Sequence, residues 1–92
     1  SPLQEEAANK KCEVLTQAGG PFQPCHAVLP PQAYFESCVY DQCGTGGSTE
    51  QLCSDLSSYA EACAAAGVVL GDWSSGTVCG EESVYILFKS CH

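Results

Sequence analysis

The sequence predicts a small, disulfide-rich, mainly α-helical protein, with about three helices and short extended segments stapled by up to four disulfides. Eight of the 92 residues are cysteine, an even number and a share near that of disulfide scaffolds. Apolar residues recur at helical spacing in stretches that glycine and proline separate. A chain this short buries only about 60 to 65% of its unfolded surface, so its core needs covalent support.

The cysteines also indicate a cellular compartment. Disulfides persist in an oxidising space, which predicts a secreted or extracellular protein. In the entropic model each bridge that closes a loop of ten or more residues stabilises the fold by roughly 3 kcal/mol, so we expect reduction to unfold the chain. The predicted disulfide residues are Cys12, Cys25, Cys38, Cys43, Cys53, Cys63, Cys79 and Cys91.

The charge balance excludes two classes of partner. Three Lys/Arg against eleven Asp/Glu give a net charge of −8, which repels the phosphates of nucleic acids and the headgroups of anionic lipids. The VYILF run (residues 84–88) has five apolar residues, far fewer than the roughly 20 that cross a bilayer. We therefore expect no nucleic-acid partner and no membrane insertion.

The first predicted helix starts near Gln4 and ends before the Gly19-Gly20 pair. Residues 1–11 are interpreted as a lead or linker with a frayed helix, because the sequence shows no packing partner for the first turn. Phe22 lies in the following turn and is expected to fill the core. The apolar stripe of this helix comprises Leu3, Ala7, Ala8, Cys12 and Leu15.

The second predicted helix follows Pro30 and Pro31, because proline is tolerated in the first turn of a helix and not in its interior. Gly44 is expected to end it. Residues at three- and four-residue spacing share one face, and that face is assigned to the core. Its members are Tyr34, Phe35, Cys38, Val39 and Gln42.

The third helix has the strongest pattern. Ser48 followed three residues later by Gln51 has the form of a capping box, and Gly67 is placed to end the helix. Apolar residues repeat along one face at a 4-3-4-3 spacing. That stripe comprises Leu52, Leu56, Tyr59, Cys63 and Ala66.

Helix geometry excludes two disulfide pairings. Cys53 and Cys63 are ten residues apart, or about 15 Å along a helix, whereas a disulfide needs Cα atoms within about 7 Å. Cys38 and Cys43, five residues apart, would be about 7.5 Å apart in a regular helix, so their pairing is excluded too unless the last turn of the helix unwinds. Both helices are therefore expected to be cross-linked to other segments, and the remaining connectivities stay open.

The region after Gly67 reads as a short extended piece and a turn around Trp73, which is expected to pack on the core. An exposed Trp73 would instead indicate a contact site. The VYILF run has strand composition without charge, so it needs a covering partner. Cys91 is a candidate for a cysteine whose mate lies elsewhere. The possible contact surface comprises Trp73, Tyr85, Ile86 and Phe88.

Catalysis, metals and cofactors are not expected. Zinc sites use paired Cys-x2-4-Cys motifs and redox enzymes use Cys-x-x-Cys, and the cysteine spacings match neither. His26 and His92 lack a Gly-x-Ser-x-Gly nucleophile motif, and His26 is expected to bond the backbone locally. Calcium is not expected because the acidic residues are scattered along the chain, at Asp41, Asp55, Asp72, Glu81 and Glu82.

Several motifs follow one another in a single order between Cys12 and Cys79. They are PF-x-x-CH at 21–26, YF-x-x-CVYD-x-C at 34–43, YA-x-x-C at 59–63 and GV…W at 67–73. Together they closely resemble the eight-cysteine domain of von Willebrand factor-type D assemblies, which occurs in mucin, zonadhesin, tectorin and kielin/chordin-like extracellular proteins. The loop 44–52 has no cysteine, so the intermolecular bridges of polymer-forming members are not expected there.

The resemblance implies a non-catalytic structural and protein-interaction module of a large secreted modular glycoprotein. It also implies neighbours in the same chain, a von Willebrand type D domain and an inhibitor-like cysteine-rich domain, and contacts with other extracellular proteins. Residues 12–79 would form the eight-cysteine domain, and 80–92 an extension that begins the inhibitor-like domain. A growth-factor-binding module and a protease-inhibitor-associated module are the alternatives.

Overall fold

The structure is a computed structural model that describes residues 2–80, and it confirms the mainly helical, disulfide-rich class. Three α-helices follow one another, α1 (Pro2–Cys12), α2 (Gln32–Thr45) and α3 (Thr49–Ala65). The described part contains no strand. Short 3-10 helices connect or follow the α-helices, at Glu13–Leu15, Gln23–Cys25 and Trp73–Gly76.

Helix α1 is shorter than the sequence indicated, because it ends at Cys12 and the 3-10 helix Glu13–Leu15 replaces its predicted continuation toward Gly19. It begins at Pro2, two residues before the expected start, and lies against α2. Ala8 is buried on that side, whereas Leu3 is 78% exposed and Ala7 is also exposed. The predicted stripe is therefore too wide, and the buried side of α1 is formed by Ala8 and Cys12. The sequence missed this because α2 supplies the packing partner.

Helix α2 runs past its predicted stop. Gly44 stays inside the right-handed helix, and the chain reverses at Gly46, where φ is 70°. A left-handed residue ends a helix most readily at glycine, so the second glycine of this loop takes the role that the first was expected to take. The Thr45 hydroxyl donates to the Asp41 carbonyl over 2.8 Å and holds the last turn.

Helix α3 begins as predicted. The Ser48 hydroxyl oxygen accepts a hydrogen bond from the Gln51 backbone N–H over 3.1 Å, which satisfies a donor that the helix itself leaves unpaired. Only half of the capping box forms, because the Gln51 side chain turns away and the Ser48 N–H donates to the Thr45 hydroxyl. Ala66 is exposed, and Ala60 is the alanine that α3 buries.

Four aromatic rings cross the core in a row. Each ring packs on the next in a tilted arrangement, with centroids 5.0 Å apart for Tyr34 and Tyr59, 5.5 Å for Tyr59 and Phe22, and 5.3 Å for Phe22 and Trp73. Phe22 is fully buried, so its predicted place in the core is confirmed. The Tyr59 hydroxyl donates to the Leu29 carbonyl over 2.6 Å. The row therefore connects α2, α3 and both long loops.

Within residues 2–80, three disulfides close the fold. One joins Cys12 to Cys38 and ties α1 to α2. The others join Cys25 to Cys63, fixing the loop before α2 on α3, and Cys53 to Cys79, fixing the last described turn on α3. Neither pairing that helix geometry excluded is formed, and each of α2 and α3 is bridged to another segment.

Candidate interaction surface

Trp73 occupies the edge of the core. Its ring packs on Phe22, and part of the ring stays accessible. Trp73 therefore packs on the core as expected, but it is only partly buried. The other residues of the predicted contact surface, Tyr85, Ile86 and Phe88, lie outside the described residues, as does the whole VYILF run.

An apolar groove borders Trp73, and we call it the Trp73 groove. It has a volume of about 420 Å³ and lies between the end of α3 and the following segment. None of the described residues that line it is charged, and Val69 on its wall is 89% exposed. Such a surface gains free energy by burying the apolar side chains of a partner. The lining residues are Ala60, Ala64, Gly67, Val68, Val69, Leu70, Gly71 and Trp73.

A second hollow of about 120 Å³, the Cys43 cleft, lies between α1 and the end of α2. Gln42 is only 2% exposed, and its Nε2 donates to the Ser48 carbonyl over 2.8 Å. Its Oε1 is buried without a hydrogen-bond partner. Cys43, beside it, is exposed and forms no disulfide with another described residue, whereas Cys91 lies outside the described part.

Two carboxylates meet between α2 and α3. The Gln51 amide Nε2 donates to Asp55 over 3.0 Å and lies 3.4 Å from an Asp41 carboxylate oxygen. The other Asp55 oxygen is buried without a partner. Burial raises the pKa of Asp55 from 3.8 to about 6, with a further contribution from the Asp41 carboxyl.

The sequence missed this acid pair, because the acidic residues looked scattered when only their order was considered. The hairpin of α2 and α3 brings Asp41 and Asp55 together. A usable signal was the four-residue spacing of Gln51 and Asp55, which puts both side chains on one helix face. Within residues 2–80, no cluster of three or more potential metal ligands forms.

His26 bonds the backbone, although not locally. Its Nε2 lies 2.7 Å from the Leu15 carbonyl oxygen, eleven residues earlier in the chain. A carbonyl oxygen only accepts, so this nitrogen carries the proton. The bond connects the loop that contains Cys25 with the turn after α1.

Among the helices of residues 2–80, none is long and apolar enough to cross a membrane.

Comparison with known proteins agrees with this architecture. The family model described as the C8 domain matches residues 11–80. Human zonadhesin is 49% identical over 74 residues, covering 80% of this chain and 3% of zonadhesin. Human IgGFc-binding protein is 43% identical over 76 residues, covering 83% of this chain and 1% of its own length. Human mucin-5AC is 42% identical over 87 residues, covering 88% and 2%.

These relatives confirm the resemblance to von Willebrand factor-type D assemblies and the extracellular location that the cysteines predicted. The six bridged cysteines all lie within the matched residues. The chain spans only a few per cent of each relative, 1 to 3% of the three compared. It therefore corresponds to one module of much longer proteins.

Proposed function

The chain belongs to the C8 domain family, and from that premise we propose that it is a non-catalytic structural and protein-interaction module of a large secreted modular glycoprotein. The observation that carries the proposal is the placement of the three disulfides. Each joins segments that are distant in sequence, with separations of 26, 38 and 26 residues. A module built in this way keeps its shape outside the cell.

The accessible surface supports a role in binding other proteins and not a role in catalysis. The Trp73 groove presents alkyl and aromatic groups, which exclude water from an apolar partner and transfer no proton. The perturbed acid, Asp55, bonds an amide within the hairpin of α2 and α3. Its place between packed helices favours a structural role for that carboxyl.

On this proposal the module has neighbours on both sides. Residues 1–11 lead in from a type D domain, 12–79 form the eight-cysteine domain, and 80–92 begin an inhibitor-like domain. The family match over 11–80 supports the central boundaries, as does the bridge from Cys79 to Cys53, which closes the last described turn onto α3.

A chimera tests the structural role. We would replace the matched segment of human zonadhesin with this chain and measure the amount secreted by cultured cells. The native chain should support secretion near the natural level, because it supplies the same closed module. A Cys25→Ser/Cys63→Ser variant should be retained in the cell. Tyr40→Ser, which changes an exposed side chain, is the matched control.

Retention of the native chimera, or normal secretion of the cysteine variant, would contradict the proposal. So would turnover or stoichiometric inhibition of a protease from a trypsin-type panel. The loop between α2 and α3 spans only residues 46–48, and its two glycines have φ values of 70° and 92°.

One observation favours a second function, the capture of a secreted growth factor. The Trp73 groove is an exposed apolar surface of the kind that such capture requires. Binding of purified growth factors to the immobilised chain, compared between the native protein and Val69→Asp, distinguishes this function from a purely structural one. Equal signals from both proteins would remove it.

A further inference from the structure

The described chain ends against the turn that follows Trp73. Gly80 packs so closely on the turn after Trp73 that a Cβ there would lie 3.0 Å from the Ser74 carbonyl oxygen. The Cys53–Cys79 disulfide holds this position on α3. The last described residue therefore lies near Trp73, which lines the groove.

The sequence after Gly80 contains an apolar segment that suits an apolar groove. Glu81, Glu82 and Ser83 come first, then the uncharged VYILF run, and Lys89 ends it. The groove is lined by alanine, valine, leucine, glycine and tryptophan. An uncharged run of β-branched and aromatic residues aggregates unless it is covered, and an apolar groove gains by covering it.

The length of the connection fits this occupant. Three residues separate Gly80 from Val84, and at about 3.3 to 3.6 Å per residue Val84 can lie up to roughly 13 Å from Gly80. So short a tether gives the run an effective concentration in the millimolar range. A second copy of the chain, at ordinary concentrations, competes poorly against a segment tethered in this way.

We propose that residues 84–88 dock in the Trp73 groove of their own chain and cover the open side of the indole. The occupant is this segment, and not a second copy or a separate partner protein. The inference goes beyond the structural role proposed above and does not depend on it, but it excludes growth-factor capture in the same groove. It also assigns Trp73, Tyr85, Ile86 and Phe88 to one internal contact.

The test uses the full 92-residue chain, whose single tryptophan is Trp73. Quenching of its fluorescence by acrylamide reports how open the indole is. Ile86→Asp places a charge inside the run, and the quenching constant should rise by roughly twofold because the open face of the half-buried ring loses its cover. Ser83→Asp adds the same charge just before the run and should leave quenching unchanged.

A substitution in the groove itself provides the second arm. Val69→Asp should also raise quenching, whereas Val28→Asp, an exposed valine elsewhere, should not. An unchanged disulfide map by mass spectrometry shows that each variant has folded. Quenching equal to that of the native chain in both Ile86→Asp and Val69→Asp would overturn the proposal. The proposal would also fail if Trp73 became protected from acrylamide only as the protein concentration rose and sedimentation showed a dimer. The occupant of the groove would then be a second copy of the chain.

Discussion

At the scale of single residues, the Asp55 carboxyl makes stability depend on pH. Its pKa of about 6 in the fold exceeds the ordinary 3.8, first through burial and then through Asp41. The folded state therefore holds a proton that the unfolded state has released. The stabilisation is complete below about pH 4 and is lost as the pH rises through about 6. Neither α2 nor α3 contains a lysine or arginine that would offset the paired charges.

We predict that Asp55→Asn removes this dependence. Asparagine keeps an oxygen for Gln51 and, like the protonated acid, carries no charge. At pH 7.5 the variant should be about 1 kcal/mol more stable than the native chain, after solvent screening of this partly exposed pair is allowed for. At pH 4 the two should coincide. Urea unfolding at both pH values measures the difference, and Glu61→Gln, an exposed acid on the same helix, should show none.

The Tyr59 hydroxyl gives a second residue-scale prediction. Burial raises the pKa of Tyr59, and the neighbouring Tyr34 adds to the effect, so the hydroxyl stays protonated and donates to the Leu29 carbonyl. Tyr59→Phe keeps the ring and removes the donor, which should lower the free energy of unfolding by about 1 to 2 kcal/mol. Thermal unfolding measures the loss. Tyr40→Phe, at 79% exposed, should leave the midpoint unchanged.

Residue roles that follow from chemistry alone could be predicted from the sequence, and those set by a distant partner could not. Phe22 was assigned to the core because a lone aromatic in a turn has few other places to go. His26 was expected to bond locally, yet its acceptor is Leu15. Gln42 was placed on the buried face of α2, but its bond to Ser48 and its unpaired Oε1 depend on the path of the following loop.

At the scale of elements, the start of α3 depends on one hydroxyl. Ser48→Ala removes the side-chain acceptor for the Gln51 N–H, while the Ser48 carbonyl that Gln42 uses remains. We predict a loss of about 1 kcal/mol in the free energy of unfolding, as for other N-cap serines. Chemical denaturation monitored by circular dichroism provides the value. Ser58→Ala, in the middle of the same helix, should be neutral or stabilising because alanine favours helix.

The helices differ in how far the sequence specifies them. Helix α3 carries its own start, stripe and stop, so its bounds were predicted almost to the residue. Helix α1 has a buried face set by contact with α2, which left Leu3 exposed against expectation. The rise per residue excluded Cys53–Cys63, but the choice of Cys79 as the partner of Cys53 required knowing which segments meet.

At the scale of the whole molecule, the disulfides hold together elements that bury few large side chains. Cys12, Cys25, Cys38 and Cys63 are fully buried, so their sulfur atoms also serve as core. Removing one bridge opens a loop of 26 or 38 residues in the unfolded chain, worth about 3.5 to 4 kcal/mol in the entropic model. That is a large part of the stability of a small domain.

Reduction should therefore abolish the fold. Without reductant, iodoacetamide should label Cys43 among the described cysteines, because it is exposed and bridged to no other described residue, and should leave the six bridged cysteines unmodified. After reduction all of them should react, and the helical circular dichroism signal should fall in the same step. Peptide mass spectrometry and circular dichroism on the same samples measure both changes. A Cys43→Ser chain should lose helicity in the same way. If instead the six cysteines became fully alkylated while the helical signal persisted, packing alone would hold the helices, and the module would not need its disulfides.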